Sequence, residues 1–278
     1  MRNNLYLLWV IPLCVKIISE GGFFLYSQTQ RLEEIKQLLA KKHQLTTRQL
    51  AHHFGIAFDT ARRDVLKLTS TGQAVRIHGG LMEAKLNNVP GFVTRTHIQS
   101  PIKAKMAKLA SQEVHPGGLY FIGASTTLMQ MCELLGQVNT TVVTNSIDNA
   151  IRLTLHELPA VELLGGKIDK GNRYTYSLET LAKLDNYTFD AAFLGTSKIQ
   201  ADGITIVDAY DATIIKKVIA RSKKVVLVAQ KYKFEAQNSS PYKSADLKDI
   251  DVLITDEPLS ARYRAYFKPD LKVKYVKD

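Results

Sequence analysis

Residues 58–65 read Phe58-Asp59-Thr60-Ala61-Arg62-Arg63-Asp64-Val65, and six residues later the chain continues Gly72-Gln73-Ala74-Val75-Arg76-Ile77-His78-Gly79-Gly80. The first run opens a helix expected over Phe58 to Ser70, with Ala61, Val65 and Leu68 recurring at helical steps on an inward face. Gly72 stops that helix, Ala74 to His78 alternates as a short strand, and Gly79-Gly80 closes the unit. Upstream, Gly55 ends a short helix over Arg48 to Phe54, with Thr46 or Thr47 as its N-cap. Before it, Leu32, Ile35, Leu38 and Leu39 give an apolar stripe to a helix running from Gln30 to near Lys42. Helix, short helix, glycine turn, helix and strand pair together predict a three-helix core with a wing, a winged helix-turn-helix.

In such a module the helix after the turn enters the major groove of DNA with its N-terminal half toward the bases. Here that half carries Phe58, Asp59, Thr60, Arg62 and Arg63. Adjacent residues lie about 100° apart around a helix, so one arginine is available to a base edge and the other to a phosphate. Lys67 is expected on the DNA backbone. Thr47 and Arg48 open the preceding helix, where free N–H groups favour a phosphate. Arg76 and His78 sit on the wing, within reach of the minor groove or backbone. The plain alternative is a solvated face in which Arg62 and Arg63 pair with Asp59 or Asp64.

Charge placement favours the nucleic-acid reading. The whole chain of 278 residues has a formal charge of +11. Residues 28–90 hold ten Lys and Arg against five Asp and Glu, whereas residues 91–278 spread the same surplus over three times the length, 25 against 20. A basic footprint concentrated in one small module is what phosphate contact requires, and the expected partner is double-stranded DNA. The two cysteines, Cys14 and Cys132, build neither a disulfide framework nor a metal site, so no metal or cofactor is expected and a reduced, cytoplasmic compartment fits. Leu5 to Ile18 is apolar but interrupted by Pro12 and Lys16, and falls short of the roughly 20 residues a membrane span needs. Residues 1–27 are set aside as an N-terminal extension, disordered or upstream of the true start, and no membrane partner is expected.

Residues 28–82 thus read as the DNA-binding module and 83–99, with Asn87, Asn88, Pro90 and Gly91, as a linker. From residue 100 to 278 short apolar strands alternate with helices. The expected strands are Leu119–Ile122, Thr141–Thr144, Val161–Leu164, Ala191–Leu194, Lys224–Val228 and Val252–Thr255. The expected helices are Ile102–Glu113, Thr127–Leu135, Ser146–Leu153 and Thr213–Arg221. This alternation predicts an α/β domain around a mostly parallel sheet. Three loops follow strand ends: Ser125-Thr126-Thr127, Asn145-Ser146 and Gly165-Gly166-Lys167. Ligands of open α/β sheets gather at those ends, and hydroxyls with free N–H groups suit a phosphorylated small molecule.

On these residues the chain resembles the DeoR family of bacterial transcription regulators. The family's threonine, bulky residue, two arginines and aspartate stand here as Thr60-Ala61-Arg62-Arg63-Asp64, and its Gly-x-x-x-Arg-x-His-Gly-Gly wing as Gly72 to Gly80. The resemblance covers Arg31 to Met82 and continues to about residue 257. It implies a sensor domain similar to sugar-phosphate isomerases that responds to phosphorylated sugars, and it adds Asp211 and Lys233 to the effector site. The chain departs from the family at several points. Ala57 replaces a capping serine, and Gly123 and Ser125 replace an aspartate and a glycine. Asp211-Ala212-Thr213-Ile214-Ile215 stands for Glu-Ala-x-x-Lys, and Gln230 for an aspartate, while Lys233-Phe234 matches. These exchanges remove titratable groups that acid–base chemistry needs, so no catalytic residue is expected. The expectation is a repressor of a carbohydrate catabolic operon, acting as a homo-oligomer; the competing reading is an isomerase-like enzyme with an accessory head.

Overall fold

A computed structural model describes residues 26–70, 73–77, 79–83, 92–96, 100–236 and 239–277. The N-terminal extension lies outside the described residues up to position 25, but its last two residues belong to the head. Ser27 caps the first helix, α1 (Gln28–Lys42), in a capping box with Gln30, and the Tyr26 ring meets Phe54 edge-on at 5.4 Å. A three-residue strand, β1 (Gln44–Thr46), leads into α2 (Thr47–Phe54) and α3 (Phe58–Ser70). Thr46 is the N-cap of α2: its hydroxyl accepts from Gln49 N at 3.1 Å while the Gln49 side chain accepts from Thr46 N. The strands β2 (Ala74–Ile77) and β3 (Gly80–Glu83) form the wing, with β3 pairing antiparallel to both β2 and β1. Glycine is needed at position 80, because a Cβ there would lie 2.1 Å from the Leu45 carbonyl oxygen. Ile35, Leu39, Leu45, Leu50, Ala61, Val65, Leu68 and Leu81 close a core belonging to this head alone.

The stretch expected as linker contains a short helix, α4 (Phe92–Thr96), held by Phe92 N donating to Gly171 O and by a Phe92 side chain 1% exposed. After it come α5 (Pro101–Ser111), β4 (Leu119–Ile122), α6 (Thr126–Glu133), β5 (Thr141–Thr144), α7 (Ile147–Leu153) and β6 (Ala160–Leu163). An antiparallel pair, β7 (Lys167–Asp169) and β8 (Tyr174–Tyr176), and helix α8 (Leu178–Lys183) precede β9 (Ala191–Leu194). The chain continues through β10 (Lys198–Gln200), β11 (Gly203–Ile206), α9 (Ala209–Ala220), β12 (Val225–Val228), β13 (Tyr242–Ala245), β14 (Val252–Thr255), α10 (Ala261–Arg264) and β15 (Lys272–Tyr275). Seven of these strands make one sheet in the order β15-β14-β12-β9-β4-β5-β6, every pairing parallel. The α/β class and the parallel sheet expected from the alternation are therefore present.

Both faces of the sheet are covered, which explains the near-continuous apolar runs of its strands. Phe121, Leu194, Leu227 and Leu253 point into one layer with Ile214 and Val218 of α9. Tyr120, Ile122, Phe193, Val226 and Ile254 point into the other with Met106 of α5 and Leu128 of α6. The chain leaves β4 toward β5 and β6 on one side, while β9, β12, β14 and β15 lie on the other. The gap above the β4–β9 boundary is thus a topological switch point, where connections diverge and leave a crevice at the carboxyl ends of the strands.

Candidate nucleic-acid interface and ligand pocket

The buried positions of α3 are Ala61, Asp64, Val65, Leu68 and Thr69, so one stripe faces the head core. Asp64 is 0% exposed and fully occupied: Arg31 Nε donates to it at 2.6 Å, Arg31 Nη2 at 3.2 Å and Gln28 Nε2 at 3.0 Å. Arg62 and Arg63 occupy the opposite, exposed side, and no ion pair to either occurs among the described residues. The solvated-pair alternative fails for Asp64, because its charge is buried against α1. Phe58 beside them is 54% exposed. Asp59 is exposed and Thr60 partly so, and Lys67 is exposed further along. Arg48 is exposed on α2, and Arg76 is half-exposed on β2. His78 lies outside the described residues. Thr47 is 6% exposed and its N–H donates to Gly79 O at 2.8 Å, so that N–H braces the wing and is not open to a phosphate.

In the C-terminal part a pocket opens at the switch point. Gly123 and Ser125 after β4 and Gly195 and Ser197 after β9 form its floor, and Asp208 and Asp211 at the start of α9 form a wall. Arg95 of α4 forms another part of the lining. Of the expected effector residues, Ser125 is on the pocket; it also caps α6, accepting from Thr127 N at 3.3 Å. Thr126 and Thr127 are buried in the first turn of α6 and do not line the pocket. Asn145 is fully buried and reaches the site indirectly, its Nδ2 donating to Asp211 Oδ1 at 3.1 Å. Ser146, also buried, caps α7. Gly165, Gly166 and Lys167 are exposed and away from the pocket lining. Gly166 serves packing: it has φ +118° and a Cβ there would meet Tyr176 O at 2.3 Å, whereas a Cβ at Gly165 would meet nothing within 4 Å.

Several site residues escaped the sequence reading. Asp208 caps α9, accepting from Tyr210 N at 2.9 Å, from Asp211 N at 3.0 Å and from the Tyr174 hydroxyl. That cap starts α9 a turn earlier than expected, and an Asp three residues before Asp211 was the available signal. Arg95 is the larger surprise. Its Nε is buried without a hydrogen-bond partner, its guanidinium carbon stands 5.5 Å from the centre of the Phe92 ring, and burial lowers its pKa. Behind it Lys103 of α5 is 7% exposed; burial, then the charges of Arg95 and Lys233, push its pKa down to about 8. Lys233 lies over the Tyr232 ring at 4.7 Å. Three cations therefore share one neighbourhood, with no ion pair to any of them among the described residues. Desolvated like charges disfavour each other, and a bound dianion is the group that offsets that cost. Among the described residues no helix is long and apolar enough to cross a membrane, and no His, Cys, Asp and Glu cluster forms a metal site.

Comparison with known proteins meets this geometry from outside. Residues 31–85 match the model for a DeoR-like helix-turn-helix domain, and residues 98–257 the model for a DeoR C terminal sensor domain. The HTH-type transcriptional repressor GlcR of Bacillus subtilis is 34% identical over 230 residues, 82% of this chain and 88% of its own length. The HTH-type transcriptional regulator IolR of the same organism is 26% identical over 238 residues, covering 85% of this chain and 94% of its own. The glycerol-3-phosphate regulon repressor of Escherichia coli is 27% identical over 234 residues, covering 83% and 92%. The chain belongs to the DeoR family of DNA-binding transcription regulators and is not an isomerase carrying an accessory head.

Proposed function

We propose that this protein represses a carbohydrate catabolic operon by seating α3 in the major groove of an operator, and that a phosphorylated sugar in the switch-point pocket controls it. The observation that carries the DNA reading is the pairing of Arg62 and Arg63 on the exposed face of α3 while Asp64 is committed to Arg31. A guanidinium with no ion pair among the described residues is available to the two acceptors of a guanine edge, worth about 1–3 kcal/mol of discrimination. Phe58 suits a thymine methyl, Thr60 and Lys67 the backbone, and Arg48 and Arg76 flanking phosphates. A single head buries too little for tight specific binding, which supports a homo-oligomer on paired half-sites about one helical turn, or a multiple of it, apart. Its place of action is the cytoplasm, where its DNA is.

The effector reading rests on Arg95 lining a pocket whose floor is Gly123, Ser125, Gly195 and Ser197, with Lys103 off the lining but within electrostatic reach of both Arg95 and Lys233. Arginine forks match phosphate oxygens, and the crevice is the usual ligand position of an open parallel sheet. That a relative represses a glycerol-3-phosphate regulon is in keeping with a phosphorylated effector here.

The test selects duplexes from a random library with the wild-type protein and measures binding of the enriched sequence. Arg62→Ala and Arg63→Ala are each expected to weaken that binding by about 1–3 kcal/mol with an unchanged melting temperature. Wild-type affinity in both variants would remove α3 from the groove.

A further inference from the structure

The pocket has a second pole, of opposite sign. Asp208 and Asp211 both line it, and Asp169 stands within electrostatic reach of Asp211. Asp208 is engaged by N–H groups of α9 and by the Tyr174 hydroxyl, and Asp211 accepts a single hydrogen bond, from Asn145. Asp169 accepts from Asn172 N at 2.6 Å. None of the three carboxylates makes an ion pair among the described residues. The helix cannot supply one on that face. Ile215, one turn beyond Asp211, is 5% exposed and lines the pocket, Lys217 is bonded to Asp185 and Lys216 is exposed.

Asn145 braces this side of the pocket from behind its lining: it is 0% exposed and directs its amide at Asp211. A sugar hydroxyl would give one hydrogen and leave the carboxylate charges uncompensated. An ammonium has three donors and a positive charge, enough for the Asp211 carboxylate and the Asp208 field together.

We propose that the effector is an amino-sugar phosphate, its phosphate held at Arg95 with Lys103 and Lys233 behind, its ammonium held at Asp211, which Asn145 positions, with Asp208 beside it. The proposal rests on the phosphate reading of the same pocket. It also fits the state of Asp211, whose carboxyl is pushed up to about 7 by burial, with Asp208 and Asp169 adding and the Asn145 hydrogen bond opposing. The groups facing it are Asp208 on its own helix, Asp169 and Tyr174 on β7 and β8, and Asn145 after β5; none is a cation. A ligand cation is what stabilises the ionised form there.

The experiment is calorimetric titration of the full chain with glucosamine 6-phosphate against glucose 6-phosphate, and galactosamine 6-phosphate against galactose 6-phosphate. In at least one pair the amino compound is expected to bind about tenfold tighter or more, a typical value for one desolvated charge pair. Asp211→Asn, which keeps the side chain's shape, is expected to bring that ratio to about one. Equal or weaker binding of the amino compound in both pairs overturns the proposal and leaves the phosphate reading standing, as does a preference that survives Asp211→Asn. If no sugar phosphate binds, or if Arg95→Ala leaves every affinity unchanged, the phosphate reading fails and this proposal with it.

Discussion

Arg63 and Asp64 are neighbours in the chain with opposite fates. Arg63 faces outward with no ion pair among the described residues, and Asp64 is sealed against Arg31. A residue pattern of two arginines and an acid reads equally well as an exposed ion-paired face; only the geometry separates the groove-facing residues from the one that fastens α3 to α1. Removing Asp64 leaves the Arg31 guanidinium buried and uncompensated, a change that typically costs about 3–5 kcal/mol. Asp64→Ala is therefore expected to lower the urea midpoint of the head and to abolish DNA binding through unfolding, in contrast to Arg63→Ala. Circular dichroism during urea titration checks this; a wild-type midpoint would show that the pair contributes no stability. In the pocket the residue scale was less legible. Ser125, Thr126 and Thr127 are three consecutive hydroxyls after a strand, and nothing in their order says that only the first faces the crevice. Arg95 stood in a stretch without periodicity, and its role depends on Phe92 being buried on the C-terminal domain, a contact no local pattern encodes.

At the scale of elements, the long helices and the sheet strands were legible because their apolar periods are strong. Strands of four residues buried on both faces read as apolar runs, and Ala61, Val65 and Leu68 mark the inner stripe of α3. The short pieces were missed: α4, α8 and the antiparallel pairings β7–β8 and β10–β11–β13 are three to six residues long, too short for either period to register. Those pieces carry Tyr174, Asn172 and Arg95 to the pocket. Caps also decide boundaries. Thr46, Ser125, Ser146 and Asp208 each hold the first turn of a helix with a side-chain oxygen. Helix α3 instead begins after Ala57, whose carbonyl accepts from Thr60 N and Ala61 N but whose side chain offers no acceptor. Ala57→Ser is expected to stabilise the head by about 1 kcal/mol, seen as a higher thermal midpoint. No change would mean that Asp59 in the first turn already supplies what a cap would.

At the scale of the molecule, a basic head with its own core precedes a parallel sheet whose strand order opens a crevice between β4 and β9. The division of labour was readable from charge density and from strand–helix alternation, since both are averages over many residues. The connection was not: α4 lies between head and sheet in sequence, and it delivers the buried guanidinium to the pocket. A ligand that binds Arg95 therefore acts on the segment through which the head is attached, and a ligand shifts an equilibrium only by its differential affinity for the two states. The most direct measurement is fluorescence anisotropy of the selected duplex bound to the full chain, titrated with the amino-sugar and neutral sugar phosphates, for wild type and Arg95→Ala. At least one sugar phosphate is expected to release wild-type protein from DNA at concentrations that leave Arg95→Ala bound. Release of both proteins at the same concentration, or no release of wild type by any of them, would contradict it.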